Sequence, residues 1–473
     1  MRRLAVCICF LFMGLFMMKA QNTDFSLDHV KSLGLKVVQI ETVAQEEPTC
    51  DYVEAPEGCM GMTTVNATKV PCRVIITQSD ETLYDSGEYE KSVSGATIKI
   101  NGNTSAYFSV NENKPYKIKL QKKKDLLSRG DERYADKEWR LLKDALSLNT
   151  IIGLRISELL QFPWTPAYTP CNVFINGDYQ GCYLLIESVK RNKDCRINVD
   201  KEYGYIIERD PYWWKEDDYF TTNYFAPYKG YRWTWKYPDE ENVSIFQKIS
   251  IKYDINQTEK SIKDGTYEDY IDIESFARWI LAQDILGSKD SGGTNIYVTK
   301  YDKNSSSLLE MPVLWDFDSN FQVQAGQFSK CHDSAYDYYF HDLFNSENRA
   351  FTQIYQQLWK TVKPTILQDI TDYITDYVNS EEGQALELSR DLNIKRWNHE
   401  GTTTMEEDAT EAILWFNTHL PLLDENISTI TPTAIQTIKK EKDSQVIYDL
   451  TGAKIQQERK GIYIKNHQKY VQR

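Results

Sequence analysis

Between Gly34 and about Val110 the apolar residues come in short β-branched runs, 35–42, 73–76 and 96–100, closed by Asn, Gly, Ser or Asp. That pattern predicts strands. Residues 138–160 carry Leu141, Leu142, Ala145, Leu148, Ile152, Ile156, Leu159 and Leu160, mostly three and four apart, which predicts one or two helices. Segments 172–175 and 179–186 flank Asn176-Gly177-Asp178, and Asn-Gly supplies the positive φ of a tight turn, so a β-hairpin is expected there. A strand follows at 204–208, then a Trp- and Tyr-rich ordered loop at 217–238 whose rings are expected mainly to pack into the core. Residues 272–286 place Ile273, Phe276, Ala277, Ile280, Leu281 and Ile285 on one helical side, and 295–299 with 310–314 read as a second hairpin. Two further amphipathic helices are expected at 351–378 and 408–423. Behind a Lys/Glu-rich linker at 439–443, segments 445–450 and 461–465 form a strand-turn-strand tail.

The fold class is therefore α+β, with a strand-rich N-terminal part over 21–110, a large domain from 111 to 430 that begins to form near residue 34, a helical C-terminal half, and a small β tail at 431–473. Residues 1–20 have signal-peptide order: Arg2-Arg3, an apolar run 4–18 too short to span a membrane, and Lys19-Ala20 before the polar Gln21-Asn22. The expectation is an exported protein, secreted or at the cell surface, without a transmembrane segment in the mature chain. Seven of nine cysteines then remain, Cys50, Cys59, Cys72, Cys171, Cys182, Cys195 and Cys331. In an oxidising compartment they allow up to three disulfides, a pair among the first three being plausible from their proximity. A net charge of −14 argues against nucleic acid as a partner.

The chemistry concentrates around Asp316 and Asp318, on either side of Phe317 at the end of the apolar run Val313-Leu314-Trp315. Hard divalent cations take carboxylate and amide oxygens, and a strand end holds them rigidly. An Asp-x-Asp alone more often serves turns and caps. Its company strengthens it: Asp290 and Asn295 precede the first arm of the second hairpin, and a hairpin brings the residues before one arm beside those after the other.

These residues carry a resemblance. Ile273-Glu274-Ser275-Phe276, Asp290, Asn295-Ile296-Tyr297 and Trp315-Asp316-Phe317-Asp318 resemble the CotH kinase family, the spore-coat-protein-H-like atypical protein kinases. So do Asn113-Lys114-Pro115-Tyr116-Lys117, Trp139-Arg140-Leu141-Leu142, and the stretch from Val173 through Asn176-Gly177-Asp178 to Tyr183, closing on Glu187. The resemblance spans roughly 34–397. It implies an atypical protein-kinase-like fold that uses ATP and Mg²⁺ to phosphorylate Ser or Thr of a secreted or surface protein. By position, Asp290 matches the catalytic-loop aspartate, Asn295 and Asp316 the metal ligands, and Asp318 an assisting group. Lys114 is the expected phosphate cation and Glu187 its carboxylate partner.

The chain departs from the family at Lys99-Ile100-Asn101-Gly102-Asn103, where Asn101 stands in place of the usual arginine. That departure keeps open an alternative, a catalytically inactive kinase-like surface protein that binds a glycan or protein partner through its aromatic loop. A nucleotide-sugar glycosyltransferase ranks lower, because no βαβ succession precedes Asp316. The tail, through Val446-Ile447-Tyr448-Asp449-Leu450 and Gly461-Ile462-Tyr463-Ile464, resembles C-terminal secretion or sorting modules of exported Bacteroidetes proteins.

Overall fold

The structure is a computed structural model that describes residues 23–430, apart from 60, 224–231, 292–293, 305, 336–337 and 400–401, and in the tail 447–449, 454–455, 461–465 and 468–472. The expected signal segment 1–20 and the linker 439–443 lie outside the described residues. The chain divides into two compact units, one up to Ile430 and one from Thr431.

A short helix α1 (Leu27–Ser32) leads into strands β1 (Lys36–Thr42), β2 (Asp51–Glu54), β3 (Met62–Val65), β4 (Val70–Gln78), β5 (Glu81–Asp85) and β6 (Ala96–Ile100). After α2 (Thr104–Tyr107) come β7 (Tyr116–Lys124) and β8 (Asp136–Leu142), then α3 (Asn149–Leu159), β9 (Tyr168–Ile175) and β10 (Asp178–Glu187). The sheet runs β1-β9-β10-β8-β7-β6-β4 and closes because β4 pairs back onto β1, with β5 attached to β4. The closed barrel is filled by one side of every strand, including Val38, Ile98, Ile118, Trp139, Val173 and Leu185. Alternation along β7 buries Tyr116, Ile118 and Leu120 inside and turns Lys117 and Lys119 outward. The β9–β10 turn is Asn176-Gly177, with φ of 51° and 80°, as the Asn-Gly pair predicts.

The predicted helical stretch 138–160 is half strand. Trp139 and Leu141 alternate with Glu138 and Arg140 and form β8, a single 3₁₀ turn follows at Asp144–Leu146, and only residues 149–159 are α-helical. Two adjacent leucines, Leu141 and Leu142, had made a period of two resemble a period of three to four.

A second, five-stranded sheet has the order β12-β13-β11-β14-β15, from β11 (Tyr205–Asp210), β12 (Tyr219–Phe220), β13 (Arg232–Tyr237), β14 (Ile296–Lys300) and β15 (Leu309–Glu310). The helical half holds α4 (Ile245–Asp264), α5 (Ile273–Leu286), α6 (Tyr338–Asn345), α7 (Ala350–Asn379), α8 (Glu381–Trp397) and α9 (Met405–Thr429), with α8 packed against β9 and β10 of the barrel. The protein is thus mixed α+β, a barrel-bearing strand-rich half followed by a helical half. Trp233 and Trp235 of the aromatic stretch are buried in the main core, as packing predicts. Among the described residues no helix is long and apolar enough to cross a membrane.

All seven cysteines of the expected mature chain are free thiols. Cys72 lies inside the barrel, where burial pushes its thiol up to about 12. Cys171 and Cys182 lie on adjacent strands, but Cys171 faces the barrel interior and Cys182 the helical half, so the pair cannot bridge. In the tail unit the described strands β16 (Ile447–Asp449), β17 (Lys454–Ile455), β18 (Gly461–Lys465) and β19 (Gln468–Gln472) form an antiparallel sheet of order β17-β16-β18-β19.

Candidate active site

Helix α5 starts at an Asp272 cap and ends at Gly287, whose φ of 56° turns the chain out of the helix. The loop that follows carries Asp290 and Asn295 into β14. β14 pairs with β15 in the register Thr299↔Glu310 and Lys300↔Leu309, and the arms come together again at Asp290 and Ser319. There the arms meet. The Asp290 N–H donates to Ser319 Oγ at 3.0 Å, the Lys289 N–H donates to the Ser319 carbonyl at 3.2 Å, and the Ser288 and Ser319 hydroxyls lie 3.1 Å apart. The second arm is strand only at Leu309–Glu310, shorter than predicted. It nonetheless delivers Asp316-Phe317-Asp318 to the catalytic-type loop.

Asn295 and Asp316 both have left-handed backbones, φ 56° and 67°, a conformation that non-glycine residues adopt where surrounding contacts impose it. Phe317 between the two aspartates is buried, while Asp316 and Asp318 face solvent. The Asp318 carbonyl accepts from Asn149 of α3 at 3.3 Å, and Asn320 returns a bond to the Asn149 carbonyl at 3.2 Å. Although its rim is open, Asp318 is packed closely enough that desolvation raises its carboxyl, and the charge on Asp290 raises it further. Two carboxylates that repel each other at a rigid loop junction suit a divalent cation.

Glu187 ends β10 opposite Trp139 of β8, and its carboxylate is fully occupied. It accepts from Arg129 at 2.9 Å, Trp164 at 3.1 Å and the Ala167 N–H at 3.1 Å, with Arg196 at 3.7 Å. The expected Lys114–Glu187 pair is not formed. Lys114 precedes β7, its carbonyl accepting from Tyr183 at 3.0 Å and its ammonium near the Cys50 thiol.

Sequence reading missed the cations that do line up. Lys99 on β6 is directly opposite Lys117 on β7, and Lys117 directly opposite Arg140 on β8, so three positive side chains form one row on the barrel's outer face. Like charges directly opposite destabilise a sheet, so the row needs another reason. Lys117 bonds Glu138 at 2.8 Å; burial nevertheless pulls its ammonium down to about 8. Burial would raise Glu138, but Lys117, Lys190 and Lys119 overcome that and hold it at about 2. Arg140 lies 5.5 Å from the Trp315 ring, next to Asp316, and with the Asn101 amide turned to suit its neighbours Arg140 donates to Asn101 Oδ1 at 2.8 Å. Its Nε is buried without a hydrogen-bond acceptor among the described residues. No sequence motif marked these residues, because three single charges in separate segments become a row only through register.

Tyr212 completes the mouth. β11 pairs with β14 through Arg209↔Ile296, which brings Asp210 and Tyr212 alongside Asn295. The Tyr212 hydroxyl hydrogen-bonds the Thr104 hydroxyl, and burial with the nearby charges of Asp210, Asp316 and Asp290 raises its phenol.

The structure thus sets cations of a barrel wall beside carboxylates and an amide on a rigid hairpin. A profile of the CotH kinase protein family matches residues 98–418, which contain the cation row, both loops and Tyr212. The chain belongs to the CotH kinase family. Among curated proteins, none matches it.

Proposed function

We propose that this chain is an exported, Mg-ATP-dependent atypical protein kinase, with a distant kinase-like fold, that phosphorylates Ser or Thr of a secreted or surface protein. The family membership supports kinase-type chemistry in general terms. The observation that carries the specific reading is the Lys99–Lys117–Arg140 row, whose Arg140 lies 5.5 Å from the Trp315 ring beside Asp316. A polyphosphate laid along the row would offset the repulsion among the three cations.

In this reading Asp290 orients and deprotonates the acceptor hydroxyl, and Lys117, aimed by Glu138, holds the phosphates. Lys117 and Glu138 take over the roles that sequence position had suggested for Lys114 and Glu187. Among the described residues no three His, Cys, Asp or Glu side chains gather as a metal cage. Mg²⁺ binds through one or two carboxylates and completes its shell with water and substrate phosphates. Asn295 and Asp316 would hold it with help from Asp318, and when bound it would neutralise charge developing on the phosphates. Because Arg140 brings a guanidinium to the Asn101 turn, the missing family arginine no longer argues for an inactive, glycan-binding protein.

The test is Mg-dependent ATP binding by the purified protein and transfer of the γ-phosphate to itself or to a co-exported protein, both lost in Asp316→Ala. Intact protein that neither binds nucleotide nor transfers phosphate would sink the proposal.

A further inference from the structure

Two hydroxyls lie close to the acidic loop, those of Thr104 and Tyr212, and the proposed function uses neither. The turn that leaves β6 two residues after Lys99 carries Thr104 at the solvent surface, and the Thr104 hydroxyl hydrogen-bonds Tyr212. Tyr212 is clamped. Its Cε1 would lie 2.3 Å from any Cβ at Gly61, so only glycine there lets the ring in, and the Lys215 ammonium lies 5.8 Å from the ring centre. Tyr212 thereby ties a threonine of the barrel half to the segment after β11, close enough to Asp290 and Asp316 for their charges to act on its phenol.

Next to Thr104, Lys215 hydrogen-bonds Asn103 Oδ1 and donates to Thr63 Oγ1 at 3.3 Å. Both partners are neutral oxygens. Desolvation lowers its ammonium, with the nearby charges of Glu216 and Asp210 opposing that. A mostly buried ammonium whose hydrogen bonds go to neutral acceptors is well prepared for a new anion beside it.

We propose that Thr104 is a phosphoacceptor of the protein's own site, modified in cis, and that the resulting phosphate is received by Lys215. This rests on the kinase reading above. Thr104 Oγ1 gives its proton to the Asp290 carboxylate and forms a bond to the γ-phosphorus of ATP. The bond from that phosphorus to the β,γ-bridging oxygen breaks, and ADP leaves with the electron pair. The dianionic product replaces the Thr104–Tyr212 hydrogen bond with a charge pair to Lys215, closing the 101–107 turn onto the segment after β11.

The experiment incubates the purified full chain with Mg²⁺ and ATP, locates phosphate by tandem mass spectrometry, and measures ATP binding and ADP formation in the same samples. Expected is phosphate on Thr104, accumulating at a fractional rate unchanged on dilution, absent in Thr104→Val and retained on the new hydroxyl in Thr104→Ser. If nucleotide is bound and ADP forms, or phosphate appears elsewhere, while Thr104 stays unmodified, this proposal falls and the kinase reading stands. A rate that falls on dilution overturns modification in cis. Absence of both nucleotide binding and transfer removes the two proposals together.

Discussion

The ring of Phe317 fills the notch that Gly153 leaves in α3: a Cβ at Gly153 would come within 2.1 Å of Phe317 Cδ1. Phe317 is flanked by Asp316 and Asp318, so the position of the metal-type loop depends on the absence of one methyl group on a helix. Gly153→Ala should gain roughly 1 kcal/mol of helix propensity and lose about 1–3 kcal/mol to overpacking. The larger effect should be on function, because the displaced ring carries both aspartates with it. The prediction is a folded protein by circular dichroism with little phosphate transfer, and partial recovery when Phe317→Leu is added. Undiminished transfer in Gly153→Ala would show that the notch does not position the loop.

Lys117 and Lys114 give opposite expectations. Lys117→Met removes the central cation of the row and should weaken ATP binding by at least about 1.5–3 kcal/mol, the range of a hydrogen bond to a charged group. Lys114→Met should change it little. Isothermal titration of both variants decides between them, and the reverse pattern would restore Lys114 as the phosphate cation.

Burial sets the Lys117 ammonium at about 8, well below its ordinary 10.5. As pH rises through about 8 the lysine loses its proton in the folded protein, so ATP affinity should fall over that range. Arginine stays charged throughout, so Lys117→Arg should remove this limb from the pH profile of the ATP dissociation constant. A profile flat to about pH 10 in the unaltered protein would show that Lys117 keeps its charge or does not touch the nucleotide.

Asp290 and Asp316 should separate by readout. Asp290→Asn leaves the metal-type ligands in place and should retain Mg-ATP affinity while losing about 10²–10⁴-fold in transfer rate, the span of general-base catalysis. Asp316→Asn should lose the magnesium dependence of nucleotide binding itself. Equal effects of both variants on affinity would contradict the division of roles.

Far from this cleft, Glu259 of α4 is buried, and burial raises its carboxyl to about 7 despite bonds from Thr222 and Tyr339. Between about 4.5 and 7 the unfolded chain gives up this proton while the folded protein keeps it, so stability falls as pH rises through that window. Glu259→Gln should therefore melt higher than the unaltered protein at about pH 8, by up to roughly 1–3 kcal/mol, and nearly equally at about pH 4. A destabilised variant at both values would show instead that Tyr339 needs the carboxylate.

The strands and most helices could be read from periodicity because their buried faces are regular, as with Phe276, Ile280 and Leu281 of α5. Helix α4 escaped because its solvent side is also apolar. Ile245, Phe246, Ile249 and Tyr253 are exposed and blur the period set by Ile251, Ile255 and Ile262. In the site, the acidic residues were legible because one hairpin joins them, and local sequence describes a hairpin. The cations were not, since Lys99, Lys117 and Arg140 meet only through two strand registers. The expected pair among Cys50, Cys59 and Cys72 is not formed either, because closeness in sequence does not by itself set the Cβ geometry a disulfide needs.

Barrel closure also determines when this protein can fold. β1 takes β9 as its parallel neighbour through pairs such as Val38↔Val173, partners some 135 positions apart. Such contacts cost much chain entropy before they return any stability. A chain shorter than about residue 187 lacks the strands that complete the wall, so truncated forms should remain unfolded and protease-sensitive however well their local strands are written.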